Sequence, residues 1–200
     1  MTNDAGRRPA LLVLDLINDI VHPDGTYADV CLAQVVQRGV IERTATALAR
    51  ARAAGIPVVY VVVGFSPGYP DWPASSPVFA ESRHKNGLIL GTWGTQVHAA
   101  LAPAPGEPVV EKRRIDPFHG THLDVLLRDR NANTLLLAGV VTELVILGTA
   151  RAGHDRDYRV EVLEDATATA DPELHAAALT VIARTATMTT VDQALPEIRS

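Results

Sequence analysis

Three short segments of this 200-residue chain are almost wholly apolar: ALLVLD at 10–15, PVVYVVV at 57–63 and TLLLAG at 134–139. A strand with one face in water alternates apolar and polar residues. These segments do not alternate, so each reads as a strand buried on both faces. Shorter strand candidates follow at 108–111 (PVVE), at 159–163 (RVEVL) and near 187–191. Between them lie helical patterns at 36–54, stopped by Gly55, at 121–130, at 142–152, stopped by Gly153, and at 172–184, where Asp171 suits the N-cap and Pro172 the first helical position. Strands that alternate with helices pair in parallel. The expectation is an α/β fold in three layers: a mostly parallel sheet of about six strands with helices on both faces.

Such a sheet places its ligand site beyond the carboxyl ends of the strands. One stretch breaks the alternation. Residues 64–95, beginning GFSPGYPDWPASSPVF, are rich in Pro, Gly and Ser, and a loop of this length inside a compact domain reads as a lid or binding loop. No composition shift marks a second domain, so residues 1–200 are expected to form one.

Charge excludes several functions. The net charge of −5 comes from 23 acidic and 18 basic residues spread along the chain, and no Lys/Arg run is dense enough for a phosphate backbone or an anionic membrane. Nucleic acid and membrane are not expected partners. The opening MTNDAGRR lacks the basic-then-apolar order of a signal peptide, and the expected location is cytoplasmic. A single cysteine, Cys31, excludes an internal disulfide and a CxxC metal site.

The chemistry-bearing candidates sit at strand ends. Asp15 closes the first apolar strand, and a carboxylate there faces the ligand crevice, whereas its ordinary structural use is to cap the next turn. Lys112 ends the 108–111 strand beside Arg113 and Arg114, and alone it reads as a solvated lysine. If both strands are central, the two converge, the ammonium holding the carboxylate ionised and the carboxylate positioning the ammonium. GFSPG at 64–68 matches a nucleophile-elbow pattern around Ser66, but the residue that must donate a backbone N–H to an oxyanion hole is Pro67, which has none. Ser66 is therefore read as a loop residue. Cys31 has no local electropositive setting and is read as structural. Of seven histidines only His119 and His122 lie close together, too few for a zinc site that needs three protein ligands, so neither metal nor cofactor is expected.

Three stretches, LLVLDLINDIVHPDG, VVEKRRIDPFHGTHLDVLLR and LLLAGVVTELVILGTARAGHDRDYRVEVLEDA, together with WGT at 93–95, resemble the isochorismatase-like hydrolase superfamily, and the likeness runs through nearly the whole chain. It implies a Rossmann-like domain, a small-molecule substrate and a homo-oligomer, a dimer or tetramer. Amidohydrolases of that superfamily use an Asp-Lys-Cys triad and a cis peptide before a threonine. The resemblance puts the aspartate at Asp15, the lysine at Lys112, the cis bond between Val140 and Val141, and the cysteine position at Val145. A helix's first turn stabilises a thiolate, but valine offers no nucleophile. Thr142 is expected to serve as N-cap, and Glu143 to point away from Val145.

Isochorismatases proper lack the cysteine and hydrolyse a vinyl ether, with the aspartate as general acid and a positioned water. That is the first functional expectation here. Their glutamine shortly after the aspartate and their arginine ahead of the Trp-Gly pair correspond to Ile17 and Asn86 in this chain. Arg83, Lys85 and Arg114 are candidate replacements for carboxylate binding. Trp93, Tyr69 and Phe118 are candidate apolar walls, and Val140, Val141, Thr142 and Val145 a candidate pocket wall. Two alternatives stand beside this expectation: a C–N hydrolase whose water is activated directly by Asp15, and a catalytically silent binding or assembly protein.

Overall fold

The computed structural model describes residues 6–197. Six strands form one sheet: β1 (Pro9–Leu14), β2 (Val58–Val63), β3 (Val109–Lys112), β4 (Thr134–Val140), β5 (Arg159–Ala168) and β6 (Thr187–Thr189). They lie in the order β3-β2-β1-β4-β5-β6, and every pairing is parallel. The unbroken apolar runs make physical sense in this arrangement. In β1, Leu11 and Val13 pack on one face against Val35, Leu48 and Ala51, while Ala10, Leu12 and Leu14 pack on the other against Leu127, Leu137 and Ile146. Each such leucine contributes about 1.5–3 kcal/mol on burial.

Helices cover both faces. α1 (Asn18–Val21), α2 (Ala28–Gln37), α3 (Val40–Ala53), α4 (Leu123–Asp129), α5 (Leu147–His154), α6 (Pro172–Ile182) and α7 (Val191–Ala194) complete the three layers. α6 starts as its sequence implies, with the Asp171 carboxylate accepting from the Glu173 N–H and Pro172 at the first position. The helix expected at 36–54 is instead two helices. Gly39 takes the left-handed conformation (φ 63°) and its N–H returns to the Val36 carbonyl, which ends α2 and lets α3 begin at Val40. Cys31 thus lies inside α2, where the sequence analysis placed no helix. β5 is also longer than expected, running on through Glu164 and Asp165 to Ala168, with a register irregularity against β4.

The strand order reverses direction at β1. From there the chain adds β2 and β3 on one side and β4, β5 and β6 on the other, so a crevice opens where β1 and β4 end. Gly139 allows these two strands to run this close: at φ 134° it faces Leu14, and a Cβ added there would overlap the Leu14 carbonyl oxygen.

Candidate active site

Asp15 follows directly on β1 and Lys112 is the last residue of β3, with β2 lying between them. Two strand spacings are about 10 Å, a gap that only a long side chain closes. The Lys112 stem crosses the end of β2, and its Nζ stands 2.7 Å from Asp15 Oδ2, both side chains 1–2% exposed. Asp15 itself takes a left-handed backbone (φ 54°), a conformation aspartate tolerates better than most residues, while its N–H donates to the Val61 carbonyl at 2.9 Å. Burial raises the Asp15 pKa above the ordinary carboxylate range; the Lys112 ammonium opposes this without cancelling it. The second oxygen, Oδ1, is buried and has no hydrogen-bond partner.

Asp15 lines a cavity of about 190 Å³. Its polar lining is Asp15, Tyr27, Ser82, Lys112 and Glu143, and the rest is hydrocarbon, including Val63, Phe79, Leu88, Val140, Val141 and Val145. The peptide bond between Val140 and Val141 is cis, and the chain then winds into a single π turn, Thr142–Ile146, before α5. In that turn the N–H groups of Leu144, Val145 and Ile146 all return to the Val141 carbonyl, at 2.9–3.3 Å. Among the described residues no hydrogen bond engages the N–H of Val141.

Two local expectations are corrected. Thr142 is not the N-cap: Val141 occupies that position with no side-chain cap, and the Thr142 hydroxyl pairs with Nδ1 of His175 at 2.9 Å. Glu143 does not point away, because the π turn brings Glu143, Leu144 and Val145 to the same cavity, and Glu143 Oε2 is buried there without a partner. Sequence reasoning missed Glu143 and Tyr27. A signal for Glu143 existed, since it is the sole charged residue between 134 and 150.

The other expected binding residues lie outside the cavity lining. Trp93 is 46% exposed and packs edge-on against His22, with ring centroids 5.0 Å apart. Tyr69 is buried, but its hydroxyl donates to the Ser82 and Gly87 carbonyls and so ties the 64–95 loop together. Phe118 belongs to the core, stacked on Tyr158 with the Arg156 guanidinium 4.6 Å from its ring centroid. Arg83 and Lys85 are exposed, with Lys85 Nζ 5.4 Å from the Tyr27 ring, and Arg114 donates to the carbonyls of Asp71 and Arg113. Ser66 donates to Asp71, as a loop residue would.

Cys31 is 2% exposed, and its thiol is pushed up to about 12, first by burial and then by the Glu143 carboxylate. That leaves it protonated and unreactive. Among the described residues no group of three or more His, Cys, Asp or Glu side chains is arranged to hold a metal.

A parallel six-stranded sheet with this strand order, an acid-lysine pair at its carboxyl end and a turn after β4 defines a class of hydrolase. The isochorismatase domain model matches residues 9–193, and the chain belongs to that family. Among relatives by sequence, the ureidoacrylate amidohydrolase RutB of Methylobacterium radiotolerans is 39% identical over 84% of this chain and 70% of its own length. Among solved structures, an isochorismatase family protein from Desulfovibrio vulgaris superposes with a TM-score of 0.83 at 30% identity, covering 96% of this chain and all of the other. N-carbamoylsarcosine amidase from Thermoplasma acidophilum does so with a TM-score of 0.76 at 30% identity, covering 96% and 99%. The protein is an isochorismatase-like hydrolase.

Proposed function

We propose that this hydrolase cleaves the C–N bond of a small carboxamide-type substrate without a thiol nucleophile, using a water activated by Asp15. The observation that carries this reading is that Asp15 lines an apolar cavity with Oδ2 held by Lys112 and Oδ1 buried without a hydrogen-bond partner. Oδ1 removes a proton from the water as it attacks the carbonyl carbon, and the unengaged Val141 N–H is the donor for the developing oxyanion. Protonated Oδ1 then returns the proton to the leaving nitrogen, so that amide and water become acid and amine. Because burial raises the Asp15 pKa, the base form is lost on acidification at a higher pH than for an ordinary carboxylate, and activity falls on that acid limb.

The amidohydrolase names carried by the relatives at 39% and 30% identity favour this over the vinyl-ether reaction that the sequence analysis put first. The cavity adds a reason. A substrate with two carboxylates requires cations, yet Arg83, Lys85 and Arg114 all lie outside the lining, and Lys112, the one cation within it, is already paired. The test is a panel of small amides and ureido compounds set beside isochorismate. Ammonia or amine release without pyruvate is expected, with Asp15→Asn lowering kcat by about 10²–10⁴. Pyruvate release from isochorismate, or full activity in Asp15→Asn, overturns the reading.

A further inference from the structure

Three of the polar side-chain atoms that are buried without a partner, Asp15 Oδ1, Tyr27 Oη and Glu143 Oε2, belong to residues lining the same cavity. Buried polar atoms in a folded protein are almost always satisfied, so three orphans around one space describe the ligand that fills it. Asp15 is accounted for by the reaction. Glu143 is not: it enters from the π turn after β4, and nothing in the proposed hydrolysis uses it.

A carboxylate accepts hydrogen bonds and does not donate. Its complement is therefore a hydrogen-bond donor, and of the donors a ligand can carry, only an N–H group can also bring positive charge. The cavity's charge agrees, with two carboxylates, Asp15 and Glu143, against the single ammonium of Lys112. An anionic ligand meets an uncompensated negative site, and a cationic one finds its counter-charge in a surrounding of valine, leucine and phenylalanine, where little water screens the attraction.

We infer that Glu143 is a substrate-anchoring residue that accepts hydrogen bonds from an amine, amidine or ureido N–H, and that the site selects neutral or cationic nitrogen-rich substrates over carboxylates. This rests on the same cavity as the proposed C–N hydrolysis but not on its chemistry. Binding is read separately from turnover, so either can fail alone: loss of ammonia release with the binding order intact removes the reaction only.

Benzamidine, benzamide and benzoate are matched probes, alike in shape and differing in charge and N–H donors. Calorimetry on the wild-type protein is expected to rank them in that order, with benzamidine about tenfold tighter than benzamide, the scale of one charge-assisted hydrogen bond. In Glu143→Gln, which keeps the shape of the side chain, that tenfold preference collapses towards unity while benzoate binding holds or improves. Benzoate binding as tightly as benzamidine to the wild type overturns the inference, and this arm needs no variant to fold. An unchanged benzamidine-to-benzamide ratio in a folded Glu143→Gln protein overturns it equally.

Discussion

Lys112 carries its charge past the end of a neighbouring strand to reach Asp15, and that reach makes it a liability wherever its partner is missing. A buried ion pair offsets the desolvation of two charges only while both are present. Lys112→Ala is expected to cost about 3–5 kcal/mol in chemical denaturation, because Asp15 is left buried and uncompensated. The double variant Asp15→Asn/Lys112→Met is expected to recover most of that loss while remaining inactive. A loss under about 1 kcal/mol in the single variant would mean that the pair stabilises no more than an exposed one does. Both members of the pair were legible as strand-end residues, but the sequence argument required two central strands, and β3 lies at the sheet edge, so the meeting depends on the Lys112 side chain spanning β2. The direction in which Glu143 points was not legible, because it depends on a π turn and the spacing argument assumed an α-helix. Thr142 was misread for the same reason, its hydroxyl serving His175 rather than the backbone.

At the scale of elements, that Thr142–His175 contact joins the π turn to α6. His175 is 5% exposed, and burial, followed by the Arg38 guanidinium, lowers its pKa from 6.5 to about 4. The unfolded chain takes up a proton as pH falls through 6.5, whereas the folded chain resists it until about 4. The contribution of His175 to stability is therefore complete above pH 6.5 and drains away between there and about 4, with an upper bound of about 3 kcal/mol. Denaturation midpoints of the wild type are expected to fall more steeply across that window than those of His175→Asn. Parallel slopes would take His175 out of the account. Element boundaries were legible where a breaker or cap sits in the sequence, as at Asp171–Pro172 and Gly55. The α2–α3 break was missed because Gly39 acts through its left-handed backbone, which periodicity does not report.

The whole molecule builds its cavity from four regions distant in sequence: the end of β1 with α1 and α2, the end of β2 with the long connection to β3, the end of β3 with Ile115, and the turn after β4. That connection contains only short 3₁₀ turns, and Asp19 holds it in place. The Asp19 carboxylate accepts from the Leu88 N–H at 2.7 Å and the Thr26 N–H at 3.3 Å, and it packs so closely on Gly94 that a Cβ there would overlap it. Asp19→Ala is expected to cost about 1–3 kcal/mol and to speed tryptic cleavage at the exposed Arg83 and Lys85. Cleavage at the wild-type rate would show that Asp19 does not restrain the loop. The sheet and its layers were legible from apolar runs alone, because burial on both faces leaves no polar alternation. How a loop rich in Pro and Gly folds back over the site was not, since buried side chains such as Asp19 and Tyr69 set it and the same residue types serve other structural roles elsewhere.

The valine at 145 has a consequence for where such a protein can work. A thiolate nucleophile is also the atom that peroxide attacks first, and enzymes built on one are silenced as it climbs the oxidation ladder. In the proposed reaction the nucleophile is water, the residue at 145 is a hydrocarbon, and the chain's one thiol is sealed in α2 and held protonated. A hydrolase working by that proposed route is expected to keep its activity at peroxide concentrations that stop thiol hydrolases.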